Sequence, residues 1–354
     1  MGDEALRRRL SPVRIGLLTG GGDCPGLNAA IRSIVRHAHD EIGATILGFR
    51  DGWRGVMEGV ADELTRDDVR GILPKGGTIL GTSGVQPFRT PDGIDRVRDT
   101  IEVHQLDGFI AIGGEGTMIA CAAMPDVPVI GVPKTIDNDI GGTDHSIGFQ
   151  TAVQIATELI DRLYSTAESH QRVMVCEVMG RSAGWIGLEA GIAGAADVIL
   201  LPEHPFDIEL VARRVKQRML EERRFSIVVV SEGASPLPGT MDVPDYPLDP
   251  NGWPRLGGIG GLVARQLGER IGVESRITVL GHVQRGGSPN AYDRVLASRL
   301  GAAAVDHARD DGWGTMVGMI GQAVVRTPIA EVAASPRVVP AELRRLPEVL
   351  CDRP

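Results

Sequence analysis

The sequence predicts an α/β fold with mostly parallel sheets. Short β-branched runs alternate with amphipathic helical stretches, which is the pattern of βαβ units. Glycine clusters follow the apolar runs instead of interrupting them, and 47 of the 354 residues are glycine, about twice the usual share. The length indicates two domains, at about 150 residues per domain.

Composition and charge argue against several classes of protein. Lys and Arg number 37 against 46 Asp and Glu, so the net charge of −9 argues against a nucleic-acid-binding protein. No uncharged apolar run reaches the ~18 residues of a membrane span. Residues 1–12 lack the apolar segment of a secretory signal, so we expect an N-terminal extension. The four cysteines form no CxxC pair, which is typical of reduced thiols in a cytoplasmic protein.

The first part of the chain is predicted to contain four strands. Each is a short apolar run bounded by turn residues, at 13–18, 44–49, 106–112 and 127–132. A helix from about residue 25 to 40 follows the first strand. A shorter helix after Gly116 ends at Pro125, because proline cannot continue a helix.

The second part is predicted to repeat the alternation. A long amphipathic helix covers 148–165, and further helices cover 208–222, 257–271 and 292–309. Strands are expected at 172–178, 197–201, 226–231 and 276–280, followed by a strand-rich tail. Residues 234–256, rich in Pro, Gly and Asp, are predicted to be a surface loop.

Two glycine loops follow predicted strands, where parallel sheets bind ligands. Residues 19–28 (TGGGDCPGLN) open a helix, and their bare backbone and the helix N-terminus suit an anion. Their spacing matches neither GxGxxG nor GxxxxGK[ST]. Residues 113–117 (GGEGT) form a second such loop, in which Glu115 requires a divalent cation such as Mg²⁺ beside phosphate. Ligand-free turns are the alternative for both loops.

Paired carboxylates follow the fourth strand in residues 133–139 (PKTIDND). In an extended segment Asp137 and Asp139 would face the same side. One could then deprotonate a hydroxyl while the other assists a metal, and phosphoryl transfer tolerates such a weak base. A capping or turn cluster is the alternative.

Basic residues are interpreted as lying at strand carboxyl ends, where guanidinium groups match phosphate. They are Arg172, Arg181, Arg276, His282 and Arg285. Glu232 suits a sugar hydroxyl, or else it begins a loop.

In this order, the motifs GGDCPGLNA, GGEGT, PKTIDND, SHQRVMVCEVMGRSAGW, VVVSEG and SRITVLGHVQRGG resemble the 6-phosphofructokinase family over residues 13 to 329. The resemblance implies two Rossmann-like three-layer domains, with mostly parallel sheets and an active site in the cleft between them. The phosphoryl-donor domain would comprise residues 13–149 and about 284–334. The sugar-phosphate domain would comprise residues 150–283 and about 335–354.

The resemblance implies Mg²⁺-assisted phosphoryl transfer from ATP to the 1-hydroxyl of fructose 6-phosphate, a glycolytic reaction. It assigns catalysis to Asp137, as general base, and to Arg181, and it assigns Mg²⁺ to Glu115 and Asp139. Donor phosphates would bind to Gly22, Gly114, Glu115, Gly116 and Thr117. The sugar phosphate would bind to Thr135, Ile136, Asp137, Arg172, Met179, Gly180, Arg181, Glu232, Arg276, His282, Val283, Gln284 and Arg285. In the family, the equivalents of Arg172 and Arg276 come from a neighbouring subunit, so a homo-oligomer, dimer or tetramer, is implied.

Two positions bear on the donor and on activity. Family members that use pyrophosphate resemble this chain at Lys134 but carry Asp at the position of Gly116, where a carboxylate would fill the space of the nucleotide α-phosphate. Gly116 therefore favours ATP. The family commonly has Arg at the position of Gly84, so Arg89 or Lys134 is expected to substitute for that cation.

Other functions stay open at this point. They are a pyrophosphate-dependent enzyme, a kinase of a related sugar phosphate such as sedoheptulose 7-phosphate, and a weakly active or non-catalytic sensor of sugar phosphate or nucleotide. Retention of Asp137, Glu115 and Asp139 argues against the sensor, because binding alone needs no base. Kinases of NAD or lipids share a GGDGT-like loop but would not explain GHVQRGG or EVMGR.

Overall fold

The computed structural model describes residues 13–221, 224–248 and 256–346. Within these ranges the chain divides into two compact units. Unit 1 comprises residues 13–135, 139–150 and 285–336, and unit 2 comprises residues 136–138, 151–284 and 337–346. The expected extension, residues 1–12, lies outside the described residues, as does the end of the expected sugar-phosphate domain.

The described strands confirm the α/β fold with mostly parallel sheets. They are β1 (Arg14–Thr19), β2 (Thr45–Phe49), β3 (Ala61–Leu64), β4 (Gly108–Gly113), β5 (Val129–Pro133), β6 (Val173–Val178), β7 (Val198–Leu200), β8 (Ser226–Ser231), β9 (Ser275–Val279), β10 (Thr315–Ile320) and β11 (Ala323–Pro328).

Helices connect these strands. Those of the described residues are α1 (Leu27–Ile42), α2 (Trp53–Glu58), α3 (Gly93–His104), α4 (Glu115–Ala122), α5 (Phe149–His170), α6 (Trp185–Ala193), α7 (Ile208–Glu221), α8 (Ile259–Ile271), α9 (Ala291–Arg309), α10 (Ile329–Ala334) and α11 (Ala341–Arg344). Two short 3-10 helices cover Pro87–Arg89 and Gly281–Arg285. Over the described part of the chain, no helix has the length and apolar character that crossing a membrane requires.

Unit 1 is built on a sheet with the described strand order β11-β10-β5-β4-β1-β2-β3. The strands from β10 to β2 in this order pair in parallel, and the edge strands β3 and β11 are antiparallel. Phe109 packs in the core with its ring centroid 5.6 Å from Phe49 and 6.0 Å from Trp53. Because β1, β4 and β5 are neighbours, the loops after them meet at one edge of the sheet.

Unit 2 is built on a parallel sheet with the described order β7-β8-β6-β9. Valines of β6 and β8, such as Val175 and Val228, are fully buried with Ile259 of α8. A strand buried on both faces has a continuous apolar sequence instead of an alternating one. The carboxyl ends of β6, β8 and β9 lie side by side, so the segments that follow them also meet.

Candidate active site

The two predicted donor loops are joined within unit 1. Gly20 N donates to Ile112 O over 2.9 Å, and Lys134 N donates to Gly113 O over 3.0 Å. Thr117 is buried between the loops, and a side chain on either Gly20 or Gly113 would collide with it. Thr117 therefore packs between the two loops and fixes their spacing.

Lys134 lies beneath the first loop. Its side chain is buried, and its Nζ donates to Gly20 O over 2.9 Å and also to Gly22 O. These hydrogen bonds offset the cost of burying the ammonium group. They also place a positive charge directly against the glycine loop, as a site for anions requires.

Arg285 lies on the other side of the same loop. Its guanidinium occupies the space that a side chain at Gly22 would need, and its Nε is 3.8 Å from Asp23 Oδ1. Arg285 belongs to unit 1, whereas His282, Val283 and Gln284, which the sequence analysis grouped with it, belong to unit 2. The structure thus brings two cations, Lys134 and Arg285, to the first glycine loop.

The segment around Gly84 borders this loop without adding a side chain to it. Gly21 N donates to Ser83 O over 3.0 Å, and Thr82 Oγ1 donates to Gly21 O. Gly84 is exposed. Arg89 is exposed as well, with its guanidinium carbon 5.5 Å from the Phe88 ring centroid.

Gly116 is not a glycine that the fold requires. Its φ lies outside the left-handed region, and a Cβ there would meet only Gln86 Nε2, at 3.1 Å. A larger residue could be accommodated only with a small shift of the Gln86 side chain. Gln86 is therefore the side chain that any group added at Gly116 would displace beside the second loop.

The prediction that Asp137 and Asp139 share one face of an extended segment is wrong. Asn138 between them has φ 54°, in the left-handed region that asparagine tolerates better than most residues. The chain therefore turns at Asn138, and Asp137 is grouped with unit 2 while Asp139 is grouped with unit 1. Both carboxylates are buried.

The described residues contain no group of three or more His, Cys, Asp and Glu side chains that could hold a metal ion. Mg²⁺ in phosphoryl-transfer sites keeps several waters and is held by one or two carboxylates together with substrate phosphates. Glu115, half-buried in the first turn of α4, and the buried Asp139 both belong to unit 1 and are the two carboxylates that the sequence predicts for such a donor set.

Two of the residues predicted to bind the sugar phosphate, Arg181 and Glu232, meet after β6 and β8 in unit 2. Arg181, with φ 52°, follows β6, and its backbone N donates to Glu232 Oε1 over 3.0 Å. Burial raises the pKa of Glu232, and the charges of Asp137 and Glu177 raise it further, while backbone hydrogen bonds from Arg181 and Gly180 lower it. Met179 is half-buried beside buried Gly180.

Tyr246 lies near Glu177 and Glu232, and the sequence analysis did not single it out. It lies in the predicted surface loop, yet it is half-buried. Burial raises its pKa, as do the carboxylates of Glu177 and Glu232. The only sequence signal that could have identified Tyr246 is that it is the aromatic residue of the segment 234–248.

The placement of Arg172 and Arg276 at strand carboxyl ends is wrong. Arg172 precedes β6 and Arg276 is the second residue of β9, so both lie at the amino ends of parallel strands. Glu274 brings them together, with its Oε2 2.6 Å from Arg172 Nε and its Oε1 against Arg276. They therefore lie at the opposite edge of the unit 2 sheet from Arg181 and Glu232.

The predicted phosphate-binding residues 282–284 lie beyond the carboxyl end of β9. His282 and Val283 are exposed, and Gln284 is buried with its Nε2 donating to Gly281 O over 3.0 Å. Thr135 and Ile136, on the chain before Asp137, are also buried.

Comparison with known proteins identifies the family. The sequence model described as phosphofructokinase matches residues 14–308. The chain is 52% identical over 330 residues to the pyrophosphate–fructose 6-phosphate 1-phosphotransferase of Streptomyces coelicolor, covering 92% of this chain and 96% of that one. It is 49% identical over 330 residues to ATP-dependent 6-phosphofructokinase 3 of the same organism, covering 93% and 97%.

A solved structure agrees with these sequences. Phosphofructokinase of Pichia pastoris in the T-state superposes with a TM-score of 0.81 at 31% identity, covering 92% of this chain and 36% of the longer yeast chain. The family model, which covers most of the chain, and these relatives show that the chain belongs to the phosphofructokinase family.

Proposed function

We propose that this protein transfers a phosphoryl group from ATP to the 1-hydroxyl of fructose 6-phosphate, giving fructose 1,6-bisphosphate and ADP. The observation that carries the proposal is the position of Asp137. It is a buried carboxylate in unit 2, on a three-residue segment continuous with Lys134 and Asp139 of unit 1. One stretch of chain thus supplies a base, a cation at the donor loop and a candidate metal ligand.

Unit 1 would bind the donor. The backbone of Gly22 and of residues 114–117 would hold the phosphates, with Lys134 and Arg285 as the positive charges at the first loop. Glu115 and Asp139 would hold Mg²⁺, which neutralises donor phosphate charge when bound. Two cations at the loop offer a substitute for the arginine that family members commonly carry at the position of Gly84.

Unit 2 would bind the acceptor. As the 1-hydroxyl oxygen forms its bond to the γ-phosphorus and the bond to the ADP oxygen breaks, Asp137 takes the hydroxyl proton. Glu232 would accept from a sugar hydroxyl, and the guanidinium of Arg181 would balance charge on the transferred group. The remaining sugar-phosphate contacts would come from Thr135, Ile136, Met179, Gly180, His282, Val283, Gln284 and Arg285, the last of which also lies against Gly22.

Arg172 and Arg276 would serve the 6-phosphate of a neighbouring copy in a homo-oligomer. Their position at the amino ends of β6 and β9 supports this assignment, because it separates them from the acceptor loops of their own unit. The proposed reaction also assigns the protein to glycolysis in the cytoplasm.

ATP is the proposed donor because of Gly116. The two Streptomyces relatives carry different donors in their names at 52% and 49% identity, so overall identity does not choose between them. Glycine at this position puts no carboxylate beside the second loop, where the α-phosphate of ATP would lie. Pyrophosphate is the second candidate, supported by Lys134 and by the first of these relatives.

The experiment compares ATP with pyrophosphate as phosphoryl donors to fructose 6-phosphate in the presence of Mg²⁺. It uses the unaltered protein, Gly116→Asp and the neutral control Gly116→Asn. We expect kcat/KM with ATP to exceed that with pyrophosphate, and Gly116→Asp to lose about tenfold or more with ATP, through charge repulsion worth about 1.4 kcal/mol. The isosteric Gly116→Asn variant should lose less.

Turnover of the unaltered protein with pyrophosphate alone would contradict the ATP assignment. Sugar-phosphate binding without turnover from either donor would instead indicate a sensor.

A further inference from the structure

Arg337 is the first residue of unit 2 after the chain leaves unit 1 for the last time. Its guanidinium carbon lies 3.9 Å from the ring centroid of Trp185, which is the first residue of α6 and is 4% exposed. Its Nη1 donates to Asn138 O over 3.4 Å. One planar cation therefore contacts both the start of α6 and the residue that follows Asp137.

The carbonyl that Arg337 contacts belongs to an unusual backbone. Asn138 has φ 54° and is 1% exposed. A non-glycine residue keeps a left-handed conformation only where its surroundings hold it there. The conformation of Asn138 sets the direction in which the chain continues from Asp137 towards Asp139, so a contact on the Asn138 carbonyl bears on where the Asp137 carboxylate lies.

The segment that carries Arg337 is fastened to unit 2 at further points. Val339 N and Gly184 N both donate to Glu203 Oε1, over 3.0 Å and 2.9 Å, and Gly184 immediately precedes α6. Arg344 Nη1 donates to Glu203 O over 2.9 Å. The two backbone bonds to Glu203 Oε1 fix the chain next to Arg337 relative to the start of α6. The Arg344 bond holds a later part of the same segment.

The contact with the Trp185 ring favours arginine over lysine at position 337. A guanidinium lies flat on an aromatic face and can still donate in its own plane, whereas an ammonium is a point charge without a plane. Arg337 therefore satisfies two contacts at once, and neither contact is to one of the residues assigned to substrate.

We propose that Arg337 is a positioning residue for the reaction, which holds the Asp137–Asn138 turn against the start of α6 so that the Asp137 carboxylate is placed for proton transfer. This inference rests on the proposed function. It concerns the rate of transfer and not the affinity for the sugar phosphate, because Arg337 acts through the backbone after Asp137.

The test measures kcat, KM for fructose 6-phosphate and the melting temperature for Arg337→Ala, Arg337→Lys and the control Arg344→Ala. Arg344 anchors the same segment to Glu203 but does not contact the turn after Asp137. We expect kcat to fall about 30-fold in Arg337→Ala and about tenfold in Arg337→Lys, with KM changed by less than about threefold, because small displacements of a reacting group cost rate.

Arg344→Ala should lower the melting temperature by a comparable amount while kcat stays within about twofold of the unaltered protein. Equal kcat losses in Arg337→Ala and Arg344→Ala would overturn the positioning role, as would a rise in KM at unchanged kcat. Absence of turnover in the unaltered protein would overturn the proposed function itself, which keeps the two failures apart.

Discussion

The surroundings of Glu232 in unit 2 oppose a negative charge on its carboxyl group. Burial is the largest cause of its raised pKa, and the carboxylates of Asp137 and Glu177 add to it. A carboxyl whose pKa is higher in the folded chain than in the unfolded chain binds more protons when folded. Its ionisation therefore lowers the free energy of unfolding as pH rises from about 4.5 through the raised pKa.

We expect Glu232→Gln to melt at a higher temperature than the unaltered protein at pH 7.5, because the amide can still accept from Arg181 N without the buried charge. The gain should shrink as pH falls and vanish below the ordinary glutamate pKa of 4.5. The same variant should bind fructose 6-phosphate more weakly. Thermal melts over this pH range, with the exposed Glu102→Gln as control, provide the check.

A lower melting temperature of Glu232→Gln at pH 7.5 would show that the carboxylate stabilises the fold. The expected combination of higher stability and weaker binding is that of a residue kept for function against a cost in stability.

The shape of the first glycine loop, residues 19–28, depends on Lys134. The loop after β1 has few side chains of its own to fix it, and two of its carbonyls accept from the buried Lys134 Nζ. The adjoining loop after β4 is tied to the same residue through Lys134 N and Gly113 O. One residue therefore sets the shape of both donor loops.

Lys134→Met should lower the free energy of unfolding by about 1–3 kcal/mol, because it leaves buried carbonyls without a donor. It should also raise KM for ATP and for pyrophosphate alike, since the altered loop serves any phosphate donor. Denaturant unfolding and donor titrations measure these effects, with the exposed Lys75→Met as the matched control. Unchanged stability, or a loss confined to pyrophosphate, would refute this role.

The strands that carry the site could be predicted from the sequence, because buried parallel strands are continuous apolar runs. β3 could not, since its four residues, Ala61–Leu64, are partly exposed and show no apolar alternation. Arg172 and Arg276 were assigned to the wrong strand ends, although Arg172 comes directly before the apolar run of β6. Strand direction, and not proximity to a strand, decides the edge at which a residue lies.

Contacts between distant segments escaped prediction for a different reason. Arg285 against Gly22 and Arg337 against Trp185 join residues more than 150 positions apart. The sequence marks Arg285 as a phosphate ligand but not its contact with Gly22, and no local pattern marks Arg337. The sequence did not predict the turn at Asn138. Placing Asp137 and Asp139 on one side assumes an extended chain, whereas Asn138 adopts a left-handed conformation.

The proposed reaction uses residues from both units of one chain and from a neighbouring copy of the chain. Each unit assembles its own loops from neighbouring parallel strands. Arg172 and Arg276, held together by Glu274, lie away from the acceptor loops of their own unit. If they serve a second copy, an isolated chain has an incomplete sugar-phosphate site.

Mixing two inactive variants tests this arrangement. In hybrids of Asp137→Asn with Arg276→Ala, a reciprocal dimer leaves one of two sites with both residues intact, so we expect about a quarter of the unaltered activity after random reassociation. Activity is measured after co-refolding or co-expression. No recovery in a hybrid oligomer verified by mass would place Arg276 in the site of its own chain.

The proposed transfer to fructose 6-phosphate depends most on Asp137 as the base. The direct measurement compares turnover and calorimetric sugar-phosphate binding of the unaltered protein and Asp137→Asn, an isosteric change that removes the proton acceptor. We expect kcat to fall by a factor on the order of 100 to 10,000 while binding of fructose 6-phosphate is retained. Nearly full turnover of the Asp137→Asn protein would show that Asp137 is not the base.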